Sequence, residues 1–182
     1  MQTDDVARLL LVLTFVAAAV GCGEGEPAGT SSAAPRTIPV RIRELDGGFV
    51  LSVRSLRLTR AGWSVDAAVE NRTTASWSVG RPHSSTGTKF GLYVARRAGE
   101  LRPGVLEAHS RTTPSLVAET FDPPLPRTFA PGASWAGRFG GRGAVPAGSY
   151  VSFAFGRFLT DAPPPGLPAR LLALTSRPVR VP

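Results

Sequence analysis

The chain has 182 residues, a formal net charge of +8 and one cysteine. A single cysteine excludes an intramolecular disulfide, and it also excludes zinc sites and redox motifs built from paired thiols. The basic residues are almost all arginine, with Lys89 the only lysine. Abundant Arg, Ala, Gly and Pro is typical of a GC-rich genome, and the arginines are scattered along the sequence. We therefore expect no nucleic-acid partner, with weak attraction to lipid headgroups or acidic polymers as the alternative.

An apolar segment lies close to the start of the chain. Residues 9–20 read LLLVLTFVAAAV and carry no charge. This run is shorter than the roughly 20 residues that a helix needs to cross a bilayer, and it is typical of the core of a secretory signal peptide. The preceding MQTDDVAR departs from the pattern, because Asp4 and Asp5 stand where positive charge is usual. Residues 1–21 are predicted to be a signal peptide.

The cysteine lies where this apolar segment ends. The tetrapeptide Ala19-Val20-Gly21-Cys22 resembles the lipobox of bacterial lipoproteins. The resemblance implies cleavage between Gly21 and Cys22 and a diacylglycerol, carrying chains such as palmitate, on the Cys22 sulfur. It predicts a lipid-anchored protein on the extracytoplasmic side of the cell membrane. The alternative is an unmodified cysteine within a leader.

A change of composition follows the cysteine. Residues 23–35, GEGEPAGTSSAAP, contain no large apolar side chain, so residues 22–37 are predicted to form a flexible tether. Bulky apolar residues return in short runs from residue 38 onward. The length of residues 38–182 suits one domain.

The runs within this domain have the period of β-strands. FVLSVRSLRL predicts an irregular strand, and GWSVDAAVEN alternates apolar and polar residues before a turn at residues 71–73. KFGLYVARR and SYVSFAFGRF repeat the alternation, and ARLLALTSRPVRV supplies a last apolar run. Pro and Gly interrupt the chain between these runs. The pattern predicts an all-β sandwich or barrel.

Two stretches carry a further resemblance. LSVRSLRLTRAGWSVDAAVENRTTASWSV is similar to the opening of immunoglobulin-like β-sandwich domains on bacterial lipoproteins. FAPGASWAGRFGGRGAVPAGSYVSFAFGRF is similar to paired strands of the same group, with PGxxW at residues 131–135 and PxGxY at residues 146–150. The resemblance implies a single immunoglobulin-like β-sandwich. The Gly-rich RFGGRGAVPAG between these strands is predicted to be a hairpin connection.

Catalytic and metal-binding motifs are missing from the sequence. GxSxG and HExxH do not occur, and His83 and His109 lie in turn-rich contexts. We expect no enzyme activity, no cofactor and no metal. Trp63 lies in apolar alternation and is expected in the core, as is Trp135.

Trp77 is the tryptophan that the sequence places at the surface. It is flanked by Ser76 and Ser78 and is expected to be exposed. Trp77 and His83 together are therefore the tentative binding surface.

The expected function is a binding or envelope-scaffolding module. Its partners would be the membrane, through the lipid on Cys22, and a protein or polysaccharide of the cell envelope. Two alternatives stay open. One is an inhibitor of a secreted proteinase that presents the loop from Gly80 to Lys89, as the fold resemblance suggests. The other is an extracytoplasmic hydrolase that uses His83 or His109.

Overall fold

The fold consists of β-strands. A computed structural model of the chain describes residues 34–80, 89–102 and 114–182. Within these ranges there is no α-helix, and no helix is long and apolar enough to cross a membrane. One short 3₁₀ helix spans Ala98–Leu101. The strands are β1 Arg36–Asp46, β2 Phe49–Leu58, β3 Gly62–Asn71, β4 Trp77–Val79, β5 Gly91–Ala95, β6 Leu116–Val117, β7 Thr120–Asp122, β8 Thr128–Phe129, β9 Ser134–Arg142, β10 Tyr150–Phe155, β11 Phe158–Leu159, β12 Arg170–Leu171, β13 Leu174–Thr175 and β14 Val179–Arg180.

These strands form three antiparallel sheets. Sheet A has the order β1-β2-β3-β9-β7, and its first three strands follow one another as a meander. Sheet B has the order β12-β11-β4-β8. Sheet C has the order β13-β10-β5-β6, and β14 also pairs with β10. The prediction of an all-β fold is confirmed, whereas the immunoglobulin-like strand order stays a prediction.

One hydrophobic core joins the three sheets. On β3, the side chains of Trp63, Val65, Ala67 and Val69 are buried, as the period of two predicts. Aromatic rings then link sheet A to the other two sheets. The ring of Phe155 in sheet C lies against Trp135 and Phe139, and Phe49 contacts Trp77, Phe129 and Phe158 of sheet B. The layered packing is therefore that of a sandwich with a shared aromatic core.

The first strand was not predicted from the sequence. β1 begins at Arg36, two residues before the predicted start of the domain, and it buries Ile38, Val40 and Ile42. Its pairing with β2 shifts register between Pro39 and Ile42, and the β2–β3 pairing shifts between Val53 and Ser55. The irregularity predicted for FVLSVRSLRL is thus present as a β-bulge.

The Gly-rich segment RFGGRGAVPAG, whose first five residues are the end of β9, is not a hairpin connection, so that prediction is wrong. β9 pairs with β3 and β7 in sheet A, whereas β10 pairs with strands of sheet C. The connection therefore carries the chain from one sheet to another. A side chain at Gly141, within β9, would overlap the backbone oxygen of Val117 in β6, so the close approach of these two strands requires a glycine there.

A buried asparagine organises the end of β3. The Asn71 amide donates hydrogen bonds to the carbonyl oxygens of Ala75, Phe129 and Ala130 at 2.8 to 3.0 Å. Its carbonyl oxygen accepts hydrogen bonds from the backbone N–H and the hydroxyl of Thr73. The predicted turn at residues 71–73 is confirmed, and this side chain ties sheet A to β4 and β8 of sheet B.

We expect Asn71→Ala to destabilise the domain strongly. The substitution removes the hydrogen bonds that Asn71 donates to three backbone carbonyls and the two that it accepts from Thr73, and each lost bond to a buried group costs about 1–3 kcal/mol. We predict a loss of about 3 kcal/mol or more in the free energy of unfolding, measured by urea denaturation. The matched control is Arg72→Gln, which removes an exposed ion pair with Glu70 worth less than about 1 kcal/mol. Equal stability of the two variants would contradict the role of Asn71.

Candidate functional site

Trp77 is in the core and not at the surface. Its side chain is 0% exposed, its ring lies 5.7 Å from that of Phe49, and its Nε1 donates a hydrogen bond to Thr73 Oγ1 at 2.8 Å. The prediction of an exposed Trp77 is therefore wrong. The flanking residues Ser76 and Ser78 are exposed because the segment alternates like a strand, and this alternation turns the tryptophan inward.

The other tryptophans are buried as predicted. The indole N–H of Trp63 donates to the Arg142 carbonyl oxygen at 3.2 Å, and that of Trp135 donates to the Pro123 carbonyl oxygen at 3.0 Å. Each indole thus fills the core and satisfies its polar atom at the edge of the core. None of the three tryptophans offers an exposed face on which a sugar ring could stack.

Several predicted residues lie outside the described parts of the chain. These are Gly21, Cys22, His83 and His109. Of the loop considered for proteinase inhibition, only its ends, Gly80 and Lys89, are described. Lys89 is buried, and this burial, followed by the charge of Arg157, lowers its pKa. Among the described residues no group of three or more His, Cys, Asp and Glu could hold a metal ion.

The side of sheet A that faces away from the core, here called the outer face, carries a strip of small residues. Ala68 on β3 is paired with Ser52 on β2 and with Ala136 on β9, so small side chains continue across three adjacent strands. Ser134 extends the strip along β9, whereas on the other side the Asp66–Arg138 pair separates it from Ser64. These residues alternate with core positions, which is why they face outward. We call Ser52, Ala68, Ser134 and Ala136 the small-residue strip.

Two shallow depressions lie on the outer face. One has a volume of about 260 Å³ and lies over the small-residue strip, with Arg43 and Glu70 at its margins. The other has a volume of about 440 Å³ and lies where β2 ends and β3 begins. Its lining combines glycines with hydroxyls and side chains of both charges: Gly62, Gly140, Gly141, Thr59, Ser64, Thr120, Arg57, Arg138, Glu119 and Asp122.

A polar network fixes the charge pattern of the outer face. The Ser55 hydroxyl donates to one oxygen of Asp66 at 2.6 Å, and Arg138 Nε donates to the other at 2.9 Å. The hydrogen bond from Ser55, and after it the hydrogen bond and charge of Arg138, lower the pKa of Asp66 against the opposing effect of burial. The carboxylate therefore stays ionised at neutral pH and holds Arg138 beside the larger depression.

Sequence analysis missed this network because its members come from three strands. Ser55, Asp66 and Arg138 are far apart along the chain and meet only through the pairing of β2, β3 and β9. The one sequence signal was alternation, which places Asp66 on the polar side of β3. Nothing in that signal indicates which side chains lie opposite on the neighbouring strands.

Comparison with known proteins adds no relative. No protein-family model, no curated protein and no solved structure matches this chain. The resemblances to bacterial lipoproteins and to immunoglobulin-like domains therefore stay predictions.

The Asp66 network predicts a specific dependence of stability on pH. Since folding lowers the pKa of Asp66, the stabilisation is present above the unfolded value near pH 4 and is lost as pH falls through the folded value. Asp66→Asn removes this contribution, so the stability lost between pH 7 and pH 3 becomes smaller than in the unaltered chain. Urea denaturation at both pH values measures the free energy of unfolding, and Asp161→Asn, at an exposed position, is the control. An unchanged acid sensitivity of the Asp66 variant would contradict this account.

Proposed function

We propose that this chain is a lipid-anchored extracytoplasmic module that binds or scaffolds a partner in the cell envelope. The anchor is the diacylglycerol expected on Cys22 by resemblance to the lipobox. The immunoglobulin-like β-sandwich is the binding domain, and the outer face of sheet A is its interaction surface. Binding rather than catalysis is proposed because the sequence lacks the motifs of hydrolases and metal enzymes.

The observation that carries the binding proposal is the small-residue strip. Small side chains on three adjacent strands let a partner approach the sheet closely. Arg43, Arg138 and Glu70 stand beside the two depressions and supply charged hydrogen-bonding groups of both signs. Charged groups of both signs around these depressions suit a partner whose surface carries charges of the opposite sign at the matching positions.

A protein partner is favoured over a polysaccharide. Sugar rings are commonly bound on exposed aromatic faces, and the three tryptophans of this chain are buried. The outer face instead has an exposed aliphatic residue at its edge. Leu45 is 69% exposed and pairs with Val50, which lines the smaller depression. Protein interfaces combine apolar contacts with polar ones, and Leu45 supplies an apolar contact beside the polar groups of this face.

In-cell photocrosslinking tests this surface. A photoreactive benzoylphenylalanine placed at Leu45 is expected to form a discrete adduct with one envelope protein. The same group placed at Leu172, which is 39% exposed and follows β12 of sheet B, is the control and is expected to form no such adduct. Adding Ala68→Arg fills the small-residue strip and is expected to reduce the Leu45 adduct at least about fivefold, whereas Ala162→Arg on an exposed loop leaves it unchanged.

Two results would contradict the proposed surface. One is the same set of adducts from Leu45 and Leu172. The other is a Leu45 adduct that persists at full yield in the Ala68→Arg variant. Equal amounts of folded chain in each strain, checked by protease resistance, exclude loss of the domain as the cause.

A further inference from the structure

Arginines that are scattered along the sequence converge at one end of the domain. In sheet A, Arg36 at the start of β1 pairs with Leu58 at the end of β2. Arg142 at the end of β9 pairs with Gly62 at the start of β3. Arg57 and Arg60 lie at the same end, one on β2 and the other in the turn that leads to β3. We call this end, at which the chain enters β1, the tether end.

Sheet C brings further arginines to the tether end. Tyr150 at the start of β10 pairs with Ala95 at the end of β5 and with Arg180 of β14. Residues 96 and 97, both arginine, directly follow β5 and therefore lie at this end. The Arg36 guanidinium donates a hydrogen bond to the Pro182 carbonyl oxygen at 2.6 Å, which joins the start of β1 to the end of the chain beyond β14. The arginines of the tether end are all exposed: Arg36, Arg57, Arg60, Arg96, Arg97, Arg142 and Arg180.

Few acidic residues balance these arginines. Of the acidic residues in the described ranges, only Glu100 and Glu119 lie at the tether end, and Glu119 is 3.6 Å from Arg142. Asp46 and Glu70 lie at the opposite ends of β1 and β3. Arginines also occur toward that opposite end, among them Arg43, Arg72 and Arg177, but there they lie among Glu44, Asp46 and Glu70. The excess of positive over negative charge is therefore larger at the tether end, where the chain arrives from Cys22.

We propose that the tether end is a docking surface for anionic lipid headgroups. The proposal deepens the proposed function and rests on it, because the acylated Cys22 brings this end to a membrane. The segment between Cys22 and Arg36 spans at most about 50 Å, so the domain stays close to the surface that holds its anchor. Guanidinium groups bind phosphate oxygens through paired hydrogen bonds, and basic residues beside a lipid anchor add to membrane affinity.

This docking sets the orientation of the domain. With the tether end on the headgroups, the strands of sheet A rise away from the bilayer. The larger depression, lined by Arg57 and Thr59, then lies beside the membrane surface, and Leu45 near the other end of β1 points into the envelope space. The lipid surface thus meets the end of the outer face that carries the larger depression, whereas the smaller depression and Leu45 are left for the envelope protein.

Vesicle flotation tests the docking without the acyl chain. The probe is the chain of residues 22–182 with Cys22→Ser, which contains every described strand within its compact unit. Vesicles are phosphatidylcholine alone or phosphatidylcholine with 30% phosphatidylglycerol at about 0.05 M salt. We expect binding only to the anionic vesicles, with loss of that binding at 1 M salt.

Matched variants locate the contact. Arg57→Gln, Arg96→Gln and Arg97→Gln together remove three charges from the tether end, and we expect binding to anionic vesicles to weaken about 10- to 100-fold. Arg72→Gln, Arg127→Gln and Arg170→Gln remove the same charge from exposed positions away from that end, and we expect less than about a twofold change. Melting temperatures equal to that of the chain without these substitutions establish that both triple variants are folded.

Three outcomes would overturn the proposal. The first is no binding to the anionic vesicles, and the second is equal weakening by the two triple variants. The third is a chain that binds soluble polyphosphate through the tether-end arginines but does not float with vesicles, which would indicate an acidic polymer as the partner. Because this chain carries no acylated cysteine, these failures are distinct from failure of the Cys22 anchor or of the outer-face partner.

Discussion

The buried Asn71 amide is the contact on which the arrangement of the sheets depends. It satisfies backbone carbonyls of β8 and of the segment before β4, and it positions Thr73 to accept the indole N–H of Trp77. The chain leaving β3 therefore turns into sheet B and places its tryptophan in the core. Phe49, Trp77 and Phe158 pack together and join the inner face of sheet A to sheet B. The outer face of sheet A is the surface that we propose for interaction with a partner.

Local pattern predicted the strands, but it could not predict their partners. Alternation identified β3 and β10 and placed Trp63 and Trp135 in the core, because a period of two fixes which residues share a face. The prediction failed at Trp77 because the flanking serines were taken to indicate a polar surface, although Ala75, Trp77 and Val79 alternate with them as on a strand. It also failed at the Gly-rich end of β9, since joining a different sheet is decided by pairing with residues far away in the chain.

The candidate surfaces were harder to predict for the same reason. Asp66 meets Ser55 and Arg138 only through the register of three strands, and the tether-end arginines meet only through the topology of sheets A and C. In the sequence these arginines are scattered, which favoured a compositional explanation of the positive charge. In the structure, seven exposed arginines meet at the tether end, which is the end joined to the proposed anchor.

The central proposal is that the domain lies on the outer side of a membrane to which a lipid on Cys22 attaches it. Intact-protein mass spectrometry of the membrane fraction of the producing cell tests this most directly. The account predicts a mass equal to residues 22–182 plus a diacylglycerol, with or without a further acyl chain on the amino group. A mass that retains residues 1–21 and carries no lipid would contradict it.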